Sequence, residues 1–491
     1  MTTPQPSAGP ASRSGVRRSG DEYQDLIAWG AALRVIQPTS DVTQLEIEIK
    51  GVGNVDDVVL RHRNRGDRFG QVKWATRTAF TVDETFMTER TGQAKSLLQK
   101  LYASYQELRD PVRPPVLELL TNRGLDATHP LLGHVDGRTD LLVPYAADAL
   151  PASAAGKQLE QWATHVGCDR GRLLEMLTHL VFRTGLTVSS ERDRAQVLML
   201  AAGLRHGDDA LRRGIDAAAA WVRGGRRIIL PSDVQHVVDQ LALQASDPRA
   251  VLLVQAIDRD PHPEDATESV NWVDLYEGDT AATRCRPWND ADWQTMADEL
   301  AQATHRLETA GWRDILIRGA LRQATFFLVG TQLPAVRGTT LSYIQSRQLW
   351  STDTARISVP APERRHITTG AGTDLAIAVG VAMDPAEGVV NFTRAAALPV
   401  GDVVILTPGE GAHDQVIRGP GEAVAYAQLI RDSVRAELER HPASERVHLF
   451  LAGPGGLALL LGHRWNRIRP TTVYEHLGPG RGYAPAFNID A

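Results

Sequence analysis

Cysteine is almost missing: Cys168 and Cys285 stand far apart and outside any CxxC spacing. A disulfide framework and a thiolate zinc site are therefore not expected, and a reducing, cytoplasmic setting suits the chain. A dominant charge sign is missing too. The 53 Lys and Arg residues nearly balance 59 Asp and Glu, for a net charge of −6. Contact with nucleic acid would have to come from a local basic patch rather than a whole-protein field. No stretch supplies the roughly 18 uninterrupted apolar residues of a membrane span. The longest apolar segment, His448 to Leu461, is broken by Gly453-Pro454-Gly455-Gly456. The 15 histidines contain no HExxH, so a zinc hydrolase is not indicated. No GxSxG and no strand-borne GxGxxG marks a hydrolase elbow or a dinucleotide fold.

What is present is enough chain for two or three domains: 491 residues, 43% apolar and 23% charged. Residues 1–20, rich in Ser, Pro, Gly and Arg, read as a disordered tail. Arg17-Arg18 has no apolar run behind it and is not an export signal. From 21 to about 150 the pattern is that of an α+β domain with a mostly antiparallel sheet. A helix spans Asp21 to Ile36, and Leu45 to Ile49 alternates with period two. Val58-Val59-Leu60 and Phe69 to Trp74 follow as strands around the turn Asn64-Arg65-Gly66-Asp67, and Phe80 to Leu108 reads as helix. Residues 151–257 read as a helical extension, with Val234 to Leu243 starting behind a Ser232 cap. The acidic stretch 258–268 reads as a linker. Residues 269–491 form α/β halves of about 269–365 and 366–491.

An internal repeat supports those halves. Leu328-Val329-Gly330 followed by Val336-Arg337-Gly338-Thr339-Thr340-Leu341 returns 132 residues later as Leu460-Leu461-Gly462 and Ile468-Arg469-Pro470-Thr471-Thr472-Val473. Each copy has an apolar strand upstream, Ile315-Leu316-Ile317 and Leu449-Phe450-Leu451, then a small-residue turn and a helix. Ligands of such sheets collect beyond the carboxyl ends of the strands. That points to Arg318, Gly319, Arg322, Thr407, Pro408, Gly453 and Pro454. Trp350 and Tyr474 are candidates to stack on a base, although core packing is the commoner use of such rings.

In the first domain Asp57 opens a strand, and Gln71-Val72-Lys73 lies in the next one across a hairpin. Gln71 and Lys73 share a face, since strand side chains alternate. With Lys73 near Asp57, a carboxylate for a hard cation and an ammonium for water and phosphate would converge. Glu48, on the preceding strand, is the candidate second acid, and the Val72 carbonyl a further oxygen ligand. Arg61, Arg63, Arg65 and Arg68 in the same hairpin could meet phosphates or simply form a solvated turn.

Gly20-Asp21-Glu22-Tyr23-Gln24, Glu48, Asp56-Asp57-Val58-Val59 and Gln71-Val72-Lys73 together resemble the PD-(D/E)xK nuclease superfamily, in the branch that writes its last motif QxK. Residues 299–350 and 373–487 resemble the halves of a SAVED domain, a relative of CARF domains. The likeness is carried by Val447-His448-Leu449-Phe450-Leu451-Ala452-Gly453-Pro454, Leu457-Ala458 to Gly462, and Val473-Tyr474-Glu475. A QxK nuclease fused to SAVED resembles the effector nuclease of CBASS antiphage defence.

The resemblance implies an α/β multidomain chain: a restriction-endonuclease-like core with a helical extension, then two fused CARF/Rossmann-like halves. It implies a partner nucleotidyltransferase that makes a cyclic oligonucleotide, a cyclic trinucleotide in the first instance. It further implies ligand-induced homo-oligomers and Mg2+-dependent cutting of double-stranded DNA. Asp57 would hold the metal, Lys73 would orient the water, and Glu48 or Glu22 would supply what Gln71, an amide, cannot. Asp57 is preferred to Asp56 because an apolar strand follows it directly. The competing readings are a ligand sensor with an inert nuclease-like domain, and a cofactor-binding α/β enzyme.

Overall fold

The computed structural model describes residues 13–49, 55–77, 79–137, 139–143 and 145–490. The chain divides into two compact units, residues 1–248 and 249–491. Among the described residues no helix is long and apolar enough to cross a membrane.

The first unit is built on six strands: β1 (Val42–Ile47), β2 (Val58–His62), β3 (Arg68–Lys73), β5 (Val116–Thr121), β7 (Leu180–Arg183) and β8 (Ile228–Ile229), in the order β7-β5-β3-β2-β1-β8. The meander β1-β2-β3 is antiparallel as expected, but β5 and β7 add in parallel beside β3. A two-stranded sheet of β4 (Thr81–Val82) and β6 (Gly124–Leu125) lies outside it.

Helices cover both faces, because the strands are apolar on both. On one face α1 (Arg13–Ile36), α7 (Val188–Ala201), α8 (Asp208–Arg223) and α9 (Pro231–Gln240) bury Leu45, Val58, Leu60 and Val72. On the other, α2 (Glu84–Thr88), α3 (Leu97–Leu108), α5 (Ala154–Val166) and α6 (Arg170–Leu177) pack on Val55, Val59, Phe69 and Leu117. Short α4 (Tyr145–Asp148) joins them.

Several local expectations change. Residues 13–20, read as tail, are the first turns of α1, while residues 1–12 lie outside the described residues. The single helix expected over Phe80 to Leu108 is β4, α2 and α3. A new start is forced at Ser96, whose hydroxyl caps Gln99 while the Gln99 side chain returns a bond to the Ser96 N–H. α9 begins at Pro231 rather than behind Ser232, with Asp233 accepting from the Leu230 N–H.

The second unit holds two sheets. One runs β10-β9-β11-β12-β13, from β9 (Ala250–Gln255), β10 (Glu268–Asn271), β11 (Asp314–Arg318), β12 (Thr340–Gln345) and β13 (Gln348–Ser351). The other runs β14-β16-β15-β17-β18-β19, from β14 (Glu363–Thr368), β15 (Asp374–Gly380), β16 (Val400–Thr407), β17 (Val447–Ala452), β18 (Thr471–His476) and β19 (Tyr483–Ile489). Both are parallel at the centre, with antiparallel strands only at edges.

One continuous core joins the sheets through α10 (Asp292–Thr309), α11 (Gln323–Gln332), α13 (Pro420–Arg440) and α14 (Gly455–His463), while α12 (Ala386–Ala395) covers the outer face of the second sheet. The boundary expected at 258–268 falls at 248/249 instead. β9 is fully buried inside the first sheet, and the acidic stretch is its connection to β10, with His262 and Asp265 buried. The halves part between β13 and β14.

The repeat is real in space. It is β11-α11-β12 and β17-α14-β18, and its two glycines lie where α11 crosses α14. A Cβ on Gly330 would stand 2.3 Å from the Leu459 carbonyl oxygen, and one on Gly462 would stand 2.2 Å from that of Phe327. Phe327 and Leu459 are themselves equivalent positions of the repeat, so the contact is reciprocal about a pseudo-two-fold axis. The caps are exchanged in the same way. Ala324 at the start of α11 donates to Glu475 of β18 (2.9 Å), and Gly456 at the start of α14 donates to Gln345 of β12 (3.1 Å).

Candidate nuclease centre and ligand-facing loops

Register brings Asp57 and Lys73 together. Val58 pairs with Gly70 across the hairpin, so Asp57 stands opposite Gln71 where β2 opens. Val55 and Val59 face the same core as Phe69. Alternation therefore puts Asp57, Gln71 and Lys73 on that face, with Val72 on the other.

The Asp57 carboxylate takes the place of a missing strand neighbour. Its Oδ2 accepts the Val72 N–H at 2.7 Å and the Gln71 amide. Both bonds go to one oxygen, and no donor among the described residues reaches Oδ1. The Val72 carbonyl leaves the strand on the same side as its N–H, so it too points toward Asp57. Burial raises the Asp57 carboxyl above its ordinary range. Lys73, the Val72 N–H and Gln71 oppose that rise, and Asp56 adds to it. Burial lowers the Lys73 ammonium, Asp57 opposes that, and Lys100 on α3 lowers it further. Carboxylate and amine are both half-buried, and in each the cost of burial outweighs their mutual attraction, which moves both toward their neutral forms.

Glu48 does not join them. β1 ends at Ile47, and Glu48 turns away with φ 47° to pair with Arg227 at 2.6 Å. Glu22 is exposed on α1, which packs on the opposite face of the sheet. The acid that the sequence reading overlooked is Asp25 on the same helix. Burial pushes its carboxyl up to about 6, Arg223 opposes this, and Asp21, Glu48 and Glu22 add to it. Its position one turn beyond Asp21 was the available signal. Among the described residues no three His, Cys, Asp or Glu side chains gather to hold a metal. Oxygens near Lys73 that could serve a cation include Asp57 Oδ1 and the Val72 carbonyl at the strand edge, which suits Mg2+ carried mostly on water and phosphate oxygens.

The hairpin arginines are placed otherwise than expected. Arg61 is held by Glu46 (2.7 Å) and Asp67 (2.9 Å), Arg65 by Asp41 (3.0 Å), and buried Arg68 by Glu118. Only Arg63 is simply exposed. All four sit at the turn end of the hairpin, about 10–20 Å along the strands from Asp57. Arg61 ties β2 to Glu46 of β1 and Arg68 ties β3 to Glu118 of β5, so they hold the middle strands together rather than extend the centre.

In the second unit most of the expected ligand residues have structural duties. Arg318 pairs with Asp260 at 2.5 Å. Arg322 donates to the carbonyls of Arg284 (3.0 Å) and Ala281 (2.9 Å) and to Cys285 Sγ, clamping the 281–285 loop. Gly319, at φ 120°, lets the chain pass so close to Val254 that a Cβ would stand 1.9 Å from its carbonyl oxygen. Trp350 is buried against Gly456, and Tyr474 stacks on Phe450 with its hydroxyl on His448. Neither ring is open to a base. Thr407 ends β16 and Pro408 follows it, while Gly453 and Pro454 lead into α14, where Gly453 accepts from Gln323 of α11. The exchanged caps bring these strand ends of the two halves together.

Glu475 is the residue that sequence reading missed here. Burial pushes its carboxyl up to about 7, opposed by the Ala324 N–H and Arg322.

Residues 296–489 match the family model for SAVED, the SMODS-associated and fused to various effectors sensor domain. The second unit thus carries a SAVED domain. Over 512 aligned residues the chain is 21% identical to CD-NTase-associated protein 4 of Enterobacter hormaechei subsp. hoffmannii (strain UCI 50), covering 96% of this chain and 98% of that one. Among solved structures it is similar to the Acinetobacter baumannii Cap4 SAVED/CARF-domain containing receptor with the cyclic trinucleotide 2'3'3'-cAAA. There the TM-score is 0.46 and the identity 14%, over 98% of this chain and 100% of that one. For the Moraxella osloensis Cap4 receptor the TM-score is 0.44 and the identity 14%, over 96% and 100%.

Proposed function

We propose that a chain carrying a SAVED sensor in its second unit is a two-part antiphage effector of the CBASS kind, in which binding of a cyclic oligonucleotide releases double-stranded DNA cleavage by the first unit. The observation that carries the catalytic half is the placement of Asp57 and Lys73 on one face, across adjacent strands, with Gln71 fixing the carboxylate. The sensor half rests on the SAVED match. The name of the Enterobacter relative associates that protein with a CD-NTase, and we carry the same kind of partner, a nucleotidyltransferase supplying a cyclic trinucleotide, to this chain. Assembly into homo-oligomers on ligand binding belongs to the same proposal.

In this reading Asp57 Oδ1 and the Val72 carbonyl would hold Mg2+, which would supply polarisation of the phosphate and a more acidic water. Gln71 keeps the carboxylate from rotating by occupying Oδ2. Lys73 orients the attacking water and offsets charge on the phosphate. Its lowered proton affinity lets it shed charge more readily than a surface lysine. Glu48 takes no part.

Lys73→Ala tests this. Plasmid cutting should fall by about 100-fold or more, with cyclic-oligonucleotide binding unchanged, and EDTA should silence the wild type until Mg2+ is restored. Cutting that survives either treatment would remove the proposed centre.

A further inference from the structure

Three of the four hairpin arginines are spent on carboxylates and Arg63 lies out in the turn, so a nucleic-acid strand reaching Asp57 and Lys73 needs another cationic seat. Arg123 has the properties of one. It follows Thr121, the register partner of Lys73, and the intervening Asn122 is tied to Ala75 by two bonds of 2.8 and 2.7 Å. The carboxyl ends of β3 and β5 are thereby locked side by side. The Arg123 backbone lies roughly 8 Å from that of Lys73, from the strand spacing and rise. This corresponds to two to three base-pair rises of about 3.4 Å along a duplex axis.

Its guanidinium stands over the rings of Phe86, at 4.4 Å, and Phe80, at 5.4 Å. Nη1 donates to the Thr81 carbonyl at 3.2 Å, and Nε is buried with no hydrogen-bond partner. No carboxylate among the described residues pairs with it. Asp83, the acid nearest in influence, uses an oxygen to cap the Phe86 N–H. A half-buried cation without a counter-ion is costly unless an anion arrives. Phe80, meanwhile, leaves 49% of its surface in solvent, which an aromatic ring at a strand end does not need for packing.

We propose that Arg123, bracketed by Phe80 and Phe86, is a phosphate seat for DNA beside the Asp57–Lys73 centre, and that the exposed ring of Phe80 stacks on a base or sugar. The proposal rests on the nuclease reading. It specifies that the substrate strand crosses the carboxyl ends of β3 and β5 and not the hairpin turn. The aromatic bracket holds the guanidinium without neutralising it, so its N–H groups stay available for a charge-assisted bond.

The test uses full-length protein carrying Lys73→Ala, so that DNA is bound but not cut. A fluorescein-labelled 30-base-pair duplex is titrated at several KCl concentrations, with and without added cyclic trinucleotides. Adding Arg123→Gln should weaken binding about 10-fold and reduce the slope of log K against log salt by roughly 0.9. Arg123→Lys should retain the slope. Phe80→Ala, a surface change, should weaken binding by about 10-fold with the slope unaltered. Arg61→Gln and Arg65→Gln should change neither. Unchanged binding in both Arg123→Gln and Phe80→Ala, while the parent binds, overturns the seat and leaves the nuclease reading standing. No DNA binding by the parent under any condition overturns the nuclease reading and the seat with it.

Discussion

Adding one methyl group at the crossing of α11 and α14 should cost more than a single surface substitution can. Gly330→Ala would bring a Cβ to 2.3 Å from the Leu459 carbonyl oxygen, and Gly462→Ala one to 2.2 Å from that of Phe327. Both obstacles are backbone atoms within helices, which cannot rotate aside, so the helices must separate by roughly 1 Å to restore contact distance. Overpacking of this kind costs about 1–3 kcal/mol, and a backbone clash belongs at the upper end. The better helix propensity of Ala returns up to about 1 kcal/mol. The net loss is about 2 kcal/mol for each change, or about 4–8 °C in the melting transition of a unit this size. One separation relieves both clashes, so the double variant should cost less than the sum by on the order of 1 kcal/mol. The assay is thermal unfolding of the three variants. Gly30→Ala is the control, in α1 where nothing lies within 4 Å of the added carbon, and it should be neutral or slightly stabilising. A neutral Gly330→Ala, or strict additivity in the double variant, would refute the reciprocal close packing.

Glu475, raised by burial to about 7 from 4.5, favours folding when protonated. Its contribution is full below about pH 4.5 and is lost as pH rises through 7, a span on the order of 3 kcal/mol. Glu475→Gln, which keeps an acceptor for the Ala324 N–H, should therefore raise stability at pH 8 and flatten the melting temperature between pH 5 and 8. An unchanged pH profile would contradict this. On the proposed nuclease reading Asp57→Asn should abolish plasmid cutting, whereas Glu48→Gln, which loosens only the ion pair with Arg227, should leave rates within a few-fold. A dead Glu48→Gln would return that acid to the centre.

What could be read from the residues follows a physical division. Patterns within one element or one repeat were legible. The period-two strands, the hairpin and the recurring Gly-Arg-Thr-Thr spacing led to β1-β2-β3 and to the paired α11 and α14, because alternation and helix crossing are local rules. Asp57 and Lys73 were legible for the same reason, since adjacent strands fix their face. Side chains whose role is set by distant partners were not. Arg61, Arg65 and Arg68 look like a basic patch until Glu46, Asp41 and Glu118 are placed against them. Arg318 and Arg322 look like ligand arginines until Asp260 and the 281–285 loop are seen. Trp350 suits a stacking platform by residue type alone, but burial is the commoner fate of a Trp on a strand. The boundary was misplaced because an acidic, Pro-containing segment resembles a linker whether it joins domains or two strands of one sheet. Parallel β5 and β7 went unseen because short, doubly buried strands carry no alternation.

The central claim is that a ligand on the second unit commands chemistry on the first. Its most direct test follows the rate of supercoiled-plasmid cleavage in Mg2+ as a panel of cyclic di- and trinucleotides is titrated into the purified chain. The account predicts near silence without ligand and saturable activation by at least one cyclic trinucleotide. Equal cutting with and without every member of the panel would contradict it.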